Sequence, residues 1–350
     1  MPRRTKPNAD APYPPGWEPF LAAINADLDD DTPRLVFADW LQENGDEERA
    51  EFIRLQCDLA NGRPAGGAEH LLTANRKRWL VGLPKGVRDR PDWCVFRRGF
   101  IAAMTVLGRH WLSRSVFDEH PDADGRAIRR LTALEELRIE QSWNTVVERP
   151  TLAGLRALTL TSAGSGLIES LAGSPVLPSL TDLTILAKSS DGVSQRSFRN
   201  LFSNPNLARL RRLRVGAMRL GNVVAEGLAN QRFAGLEELR LRHVGLDAHG
   251  AEALARSPAV ARLRALDLRN NPIGDTGLCE LLAAPALRNL EALDLAMCQL
   301  SFTSVRALAD WEGLRSVRSL NLQGNHLRAA DAEIIRDSPR AQQLTELLVA

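Results

Sequence analysis

The sequence predicts an α/β solenoid, with a parallel sheet lining the inside and helices outside. Two observations support this prediction. The phrase Leu-x-x-Leu-x-Leu recurs nine times, and each copy in the later part of the chain is followed by a segment with helical apolar spacing. From the fourth copy onward the phrase returns every 26 or 27 residues, enough for one strand, one turn and one helix. The copies begin at Leu134, Leu155, Leu180, Leu210, Leu236, Leu263, Leu290, Val317 and Leu344.

The unit that begins at Leu263 shows how each repeat is built. Leu266 and Leu268 alternate with other residues, as in a short strand with one buried face. Asn271 follows where the chain turns, and a buried amide there is expected to bond backbone groups that the turn leaves unpaired. Pro285 ends the helical half. Because no single unit can bury its leucines alone, we expect neighbouring units to stabilise one another by stacking.

The residue at the position equivalent to Asn271 varies between units. It is occupied by Cys298 in the next unit and by Asn325 in the one after, whereas earlier units carry Val244 and Met218 there. We therefore expect the row of amides to be interrupted in the earlier units. Cys298 is predicted to be a buried structural thiol.

These units resemble the ribonuclease-inhibitor type of leucine-rich repeat, whose longer units place a full helix on the convex side. The resemblance covers residues 131–350, about nine units. It implies a leucine-rich-repeat horseshoe with a wide, open binding surface, whereas a small-molecule pocket needs concavity on a smaller scale. It identifies no partner, since such proteins bind many different molecules.

Residues 17–60 predict a small all-helical domain at the N-terminal side. Apolar residues from Phe20 to Leu28 recur at helical spacing. Thr32 as N-cap and Pro33 at the next position are expected to open a second helix. Asp46 is expected to cap a third helix.

Part of this domain has a familiar sequence. The run DDTPRLVFADWL at 30–41, with GD at 45–46 and RAEFIRLQ at 49–56, resembles the repeat-companion domain of planctomycete bacterial proteins. The later FRRGF at 96–100 resembles the step that such proteins take into their repeats. The resemblance implies an architecture, a companion domain followed by leucine-rich repeats, and no activity.

The remaining segments are an arm and a connector. Residues 1–16 predict a disordered arm, and residues 61–130 a basic connector that caps the solenoid, with a helix at 70–80 and strands at 94–96 and 101–107. Residues 17–60 carry twelve acidic and three basic side chains, whereas 61–130 carry fourteen basic and seven acidic ones. The two segments either bind two external partners or dock on each other. A third hypothesis is a regulator whose acidic segment covers the basic one until it is displaced.

The partner-binding site is expected on the concave face, where residues between the strand leucines point. Arginines on three adjacent strands predict a guanidinium patch, because the planar fork of arginine suits carboxylate or phosphate groups. The alternative is a solvated face in which these arginines pair locally with Glu238 and Asp267. The predicted site residues are Arg212, Arg214, Arg240, Arg242, His243, Arg269 and Asn270.

The sequence offers no catalytic or cofactor motif. The triplet Asp275-Thr276-Gly277 matches that of aspartic proteases, but their chemistry needs two carboxylates that share a proton, and no second triplet exists. We expect Asp275 to cap a helix instead. The six histidines and four cysteines lack metal-ligand spacing, and there is no phosphate-binding loop. We therefore expect neither an enzyme nor a cofactor.

The leading hypothesis is a non-catalytic scaffold that binds a protein with its concave face. The alternative is binding of nucleic acid or another polyanion through residues 61–130 and the arginine patch, although few aromatic residues and a net charge of +2 argue against it.

Scattered cysteines, the lack of an apolar run of about 18 residues and the lack of a signal peptide predict a cytoplasmic protein without a membrane segment. The last strand phrase, at the end of the sequence, suggests self-association through the C-terminal repeat.

Overall fold

A computed structural model of the protein describes residues 13–81, 83, 85–107, 133–140, 154–174, 177–187, 193–216, 219–229, 233 and 235–349. These residues fall into two compact units. The first extends to Glu140 and also contains Leu155, and the second begins at Arg156. Residues 1–12 of the predicted arm lie outside the described residues, whereas Tyr13 is buried in the core of the first unit. No helix in the described part of the chain has the length and apolar character needed to cross a membrane.

The first unit contains helices followed by three strands. Strands β1 and β2 pair antiparallel, and β3 pairs parallel with β2. A 3-10 turn at Pro91–Trp93 precedes β1. The elements are α1 (Glu18–Ala26), α2 (Thr32–Glu43), α3 (Glu47–Ala60), α4 (Ala68–Trp79), α5 (Lys85–Arg88), β1 (Cys94–Arg97), β2 (Phe100–Leu107) and β3 (Glu136–Glu140).

The helix starts follow the predicted chemistry with one correction. Asp46 caps α3, because its carboxylate accepts a hydrogen bond from the backbone N–H of Arg49 at 3.4 Å. Thr32 was expected at the N-cap of α2 but is its first residue. The carboxylate of Asp30 accepts the N–H of Thr32 at 2.8 Å. The N-cap is Asp31 and the accepting oxygen belongs to Asp30, so residue type alone placed the cap one position too late.

The helices of the first unit pack on its β1–β2 hairpin. The ring of Phe37 from α2 stacks on Phe100 from β2, with centroids 5.9 Å apart. Gly99, in the hairpin turn, has φ +84, and a Cβ there would lie 2.7 Å from the Cα of Ile53 in α3. Only glycine permits both this turn and this close approach. The acidic helical segment and the basic segment therefore dock on each other in the described residues.

The second unit repeats one strand and one helix. A 3-10 turn precedes most strands, at Leu177–Ser179, Pro205–Arg209, Pro258–Arg262, Pro285–Asn289 and Glu312–Arg315. The strands are β4 (Ala157–Thr161), β5 (Asp182–Leu186), β6 (Arg212–Gly216), β7 (Glu238–Arg242), β8 (Ala265–Asp267), β9 (Ala292–Asp294), β10 (Ser319–Asn321) and β11 (Glu346–Leu348). The helices are α6 (Ser165–Ala172), α7 (Gln195–Phe202), α8 (Val223–Ala229), α9 (Ala248–Ala255), α10 (Gly274–Ala283), α11 (Phe302–Asp310) and α12 (Asp331–Arg336).

The nine leucine phrases predict the strands correctly. Each strand from β3 to β11 begins two residues after the first residue of its phrase. Strands β4 to β11 form a parallel sheet in chain order, and consecutive helices pack against one another in the same order. The second leucines of the phrases lie side by side across this sheet, namely Leu158, Leu183, Leu213, Leu239, Leu266, Leu293, Leu320 and Leu347. The second unit is an α/β leucine-rich-repeat solenoid.

A buried amide links neighbouring repeats, as predicted. The Oδ1 of Asn271 accepts hydrogen bonds from the N–H groups of three consecutive residues of the preceding repeat, Val244 to Leu246, at 3.0–3.1 Å. Its Nδ2 donates to the carbonyls of Leu241 and Leu268. Asn271 thus satisfies backbone groups that a turn would otherwise bury unpaired.

The equivalent positions in the next two repeats differ from each other. Cys298 is fully buried, as predicted, and its Sγ lies 3.2 Å from the carbonyl oxygen of Leu268. Asn325 repeats the amide pattern, accepting from the N–H of Cys298 and donating to Leu295. The predicted interruption at Met218 lies outside the described residues.

Candidate protein-binding surface

Alternation along the strands puts one polar layer on the sheet face opposite the leucines. In β7, Leu239 and Leu241 are fully buried, whereas Glu238, Arg240 and Arg242 lie on the open side. The same alternation continues on the neighbouring strands β5, β6, β8 and β9. We call the polar side of β5 to β9 the arginine face.

The arginine face is a row of ion pairs between neighbouring strands. Arg212 pairs with Asp182, Arg214 with Glu238 at 2.9 Å, Arg242 with Asp267, and Arg269 with Asp294 at 2.5 Å. Arg240 pairs with Glu238 of its own strand. The five guanidinium groups therefore meet four carboxylates, and Glu238 bridges the two arginines that the register places side by side.

The positive and negative side chains of the arginine face differ in solvent exposure. The five arginine side chains are 36–55% exposed, whereas their four carboxylate partners are 10–21% exposed. The guanidinium groups form the outer layer and the carboxylates the inner one. A partner molecule would contact arginine N–H groups whose positive charge is largely neutralised by the carboxylates of the inner layer.

The pKa values reflect this arrangement. Burial favours the neutral form of Glu238, but hydrogen bonds and charge from Arg214 and Arg240 outweigh it, and the pKa of Glu238 lies below its usual value. The hydrogen bond with Asp182 raises the pKa of Arg212. Both groups therefore stay ionised near neutral pH.

His243 and Asn270 lie apart from the five arginines, just beyond the carboxyl ends of β7 and β8. Their backbones have φ +54 and +59, and the Nδ1 of His243 lies 2.5 Å from the Nδ2 of Asn270. They line an open groove of about 490 Å³ together with Arg219, Met297 and Gln299. The structure thus divides the seven predicted residues between the arginine face and this groove.

The basic segment between the helical segment and the repeats is also paired. Arg63 meets Asp58 at 2.8 Å, Arg78 meets Asp46 at 2.8 Å and Arg98 meets Asp31 at 3.4 Å. All three partners belong to the acidic helical segment, so much of the charge contrast seen in the sequence is neutralised within the first unit. Residues 108–132 of the predicted connector lie outside the described residues.

The three buried thiols are poor nucleophiles. Burial raises the pKa of Cys57, Cys94 and Cys298 to about 12 each. No disulfide joins the four cysteines. In the part of the chain that the structure describes, no group of three or more histidine, cysteine or acidic residues could hold a metal ion.

Asp275 differs from its predicted role. The N-cap of α10 is Ile273, and Asp275 lies within the first turn. Its carboxylate accepts the backbone N–H of Ser301 at 2.9 Å and also the hydroxyls of Ser301 and Ser304. It therefore connects two repeats rather than capping its own helix. The sequence did not reveal this role, because Ser301 and Ser304 lie one repeat away.

The sequence also did not identify two acidic partners of the arginines or one further arginine. Asp182 and Asp294 were not recognised as partners of the arginines, although they lie 30 and 25 residues from Arg212 and Arg269, about one repeat. Arg219 was missed because it follows the strand instead of lying in it. A search for acidic residues about one repeat away from each arginine would have identified Asp182 and Asp294.

Comparison with known proteins agrees with the repeat architecture. The model of the family described as Leucine Rich repeat matches residues 263–281. No curated protein matches the chain.

Several solved structures are similar to parts of the chain. A Bacteroides fragilis protein is 22% identical over 51% of this chain and 52% of its own, with a TM-score of 0.40. The TLR13–ssRNA13 complex is 16% identical over 70% of this chain and 34% of its own, with a TM-score of 0.37. An internalin from Listeria monocytogenes is 17% identical over 64% and 70%, with a TM-score of 0.36. The chain thus spans about half of the first of these proteins and a third of the second.

Proposed function

We propose that the protein is a non-catalytic scaffold that binds another protein through the arginine face. The observation that supports this proposal most is the outer layer of five half-exposed guanidinium groups over less exposed carboxylates across neighbouring strands. Each arginine is fixed by its partner and loses little rotamer freedom when it binds. Preorganised arginines are common energetic centres of protein interfaces.

The alternative of nucleic-acid or polyanion binding has little support. A polyanion needs uncompensated positive charge, but the face sets five arginines against four carboxylates, and several arginines of the basic segment pair within the first unit.

Further proposals are that residues 17–60 are a repeat-companion domain and that the protein is cytoplasmic.

Self-association through the C-terminal repeat remains a separate proposal. In the described residues β11 pairs only with β10, and Leu348 is 37% exposed on this last strand. An unpaired strand edge can add a strand from another chain. Sedimentation velocity should show a dimer that Leu348→Lys weakens, and a monomer at all concentrations would contradict the proposal.

The experiment for the scaffold proposal is affinity capture from native lysate with matched variants. The face variant carries Arg212→Gln, Arg240→Gln and Arg242→Gln, which remove the charge but keep a polar side chain and place no acid beside the carboxylates. A control variant changes three exposed arginines that precede strands or end a 3-10 turn, Arg209, Arg262 and Arg288, to glutamine. Circular dichroism melting establishes that both variants fold.

The proposal predicts a protein that wild type and control capture and the face variant does not. Equal capture by all three would move the binding site away from the arginine face. Capture that disappears in both variants would indicate that only overall charge matters.

A further inference from the structure

The groove beside the arginine face has features that the proposed function leaves unexplained. We call it the edge groove, because it lies at the carboxyl ends of β6 to β9. Its lining includes Arg219, His243, Asn270, Pro272, Met297 and Gln299. Its volume of about 490 Å³ falls within the range of roughly 300–1,000 Å³ that is usual for ligand sites.

Three successive repeats place a side chain where the backbone favours glycine. His243, Asn270 and Met297 occupy equivalent positions with φ of +54, +59 and +57. The next repeat has Gly324 there, with φ +69. Side chains are disfavoured in this left-handed region, and glycine adopts it without steric cost. The equivalent Ser162 also has φ +57, so the left-handed backbone belongs to the turn of the repeat. In three successive repeats this turn carries a side chain that lines the groove.

The chemistry of the edge groove suits an acidic ligand. Arg219 is exposed, and among the described residues it has no ion-pair partner. None of the described residues that line the groove is a carboxylate. Asp247, two residues beyond the groove residue Gly245, is engaged elsewhere, because its carboxylate accepts hydrogen bonds from Asn222 at 2.8 Å and from the backbone at the start of α9.

Other lining groups suit a peptide. The amides of Asn270 and Gln299 can bond a peptide backbone, and Met297 offers an apolar side chain that is 55% exposed. Neighbouring strands lie roughly 4.8 Å apart, so the three intervals from the β6 repeat to the β9 repeat span about 14 Å, the length of about four extended residues.

We propose that the edge groove binds an extended acidic segment of a protein partner. One carboxylate of the segment lies on Arg219, and an apolar side chain about four residues further along the segment lies on Met297. The inference rests on the proposed function, since the groove borders the strands that carry the arginine face, and it specifies the chemistry of the partner.

The test is selection of random octapeptides displayed on phage, with the full chain as bait. Peptides selected on wild type should be enriched in Asp and Glu. Individual synthetic peptides from this pool should bind Arg219→Gln about 10-fold more weakly, as expected when a hydrogen bond to a charged group is lost. A pool without acidic enrichment, or acidic peptides that bind Arg219→Gln as tightly as wild type, would overturn the proposal.

A second variant separates binding from folding. His243→Gly, Asn270→Gly and Met297→Gly relieve left-handed side chains, so the triple variant should keep the wild-type melting temperature. It should nevertheless lose the selected peptides, whereas the matched control Arg209→Gln should bind them as wild type does. Retained binding by a folded triple variant would contradict the role of the groove.

The same peptides distinguish the two proposals. Acidic peptides that bind the groove variants normally but not the face variant would refute the edge groove and leave the scaffold proposal standing. Peptides that lose binding only in the groove variants support the edge groove, even if lysate capture does not depend on the arginine face.

Discussion

Arg49 of the first unit and the arginine face of the second hold arginine in opposite ways. In the second unit the arginines of the arginine face are half exposed and each lies beside a carboxylate. In the first unit Arg49 is 2% exposed, and among the described residues no carboxylate pairs with it. Its guanidinium lies 4.4 Å from the ring centroid of Trp79 and within 5.8 Å of four more rings.

The difference follows from how each unit is built. A solenoid repeats one polar position on every strand, so an arginine can meet a carboxylate one repeat away at the surface. A small helical unit has a single aromatic core, and the faces of its rings can hold a cation without an acid. Removing the carboxylates of the arginine face should therefore weaken only its ion pairs, and removing the guanidinium of Arg49 should destabilise only the core of the first unit.

Arg49 should give the largest effect on stability. Arg49→Ala leaves a cavity between five rings and should lower the free energy of unfolding by about 3–5 kcal/mol. Arg49→Met keeps most of the side-chain volume and removes a buried charge, so it should cost about 1.5 kcal/mol or less. Urea unfolding followed by tryptophan fluorescence measures both. An equal loss in the two variants would show that the charge over the rings, rather than the filled volume, provides the stabilisation.

Asn271 should rank second. Asn271→Ala leaves three backbone N–H groups of the preceding repeat without their acceptor, and we expect a loss of about 2–4 kcal/mol. The matched control is Cys298→Ala at the equivalent position, where only the weak contacts of a thiol with two carbonyl oxygens are removed and about 1 kcal/mol is expected. Thermal unfolding of the two variants, in parallel with wild type, measures this difference. If Cys298→Ala proves the more damaging, the amide is not what joins the repeats.

Asp275 should give a smaller, pH-dependent effect. Burial works against its charged form, but hydrogen bonds from Ser301 and Ser304 outweigh this and hold its pKa below the usual value. Its contribution is therefore complete above the unfolded pKa of about 3.9 and is lost as the pH falls through the lower folded value. Asp275→Asn should cost about 1–2 kcal/mol at pH 7.

The pH profile of unfolding checks this sign. The difference between wild type and Asp275→Asn should shrink as the pH falls below 4 and vanish once the folded carboxyl is protonated. A difference that stays constant across this range would mean that the charge of Asp275 contributes nothing.

The ion pairs of the arginine face should give the smallest effect. A double-mutant cycle with Arg269→Gln and Asp294→Asn should yield a coupling of about 0.2–1 kcal/mol, because the guanidinium is solvated and screened. The coupling should fall further in high salt. A salt-independent coupling above about 2 kcal/mol would show that the pair behaves as a buried one, and the contrast with Arg49 would disappear.

The repeat fold could be predicted almost entirely from the sequence. Leucine spacing reports which backbone positions are buried, so the strand starts from β3 to β11 follow directly from the phrases. The helical segment was harder at its caps, since several adjacent aspartates can bond the same N–H groups, and Asp30 rather than Thr32 supplies the oxygen at the start of α2.

The candidate site could be predicted only in part. The arginines were found because they lie within or just after the strand phrases, but their pairing depends on register between strands, which links residues such as Asp182 and Arg212 over a whole repeat. The edge groove was missed because it depends on backbone angles after the strands. Only Gly324, a glycine at the position of Met297, hinted at a left-handed backbone there.

Site-specific photocrosslinking tests the central claim of a protein-binding sheet face most directly. A photoreactive amino acid at Ala265 or at Ala292 would lie on the arginine face, and one at Glu280 would lie on the exposed side of α10. We expect a discrete protein adduct from both sheet positions in native lysate and none from the helix position. Adducts from Glu280 alone, or equally from all three positions, would contradict binding through the arginine face.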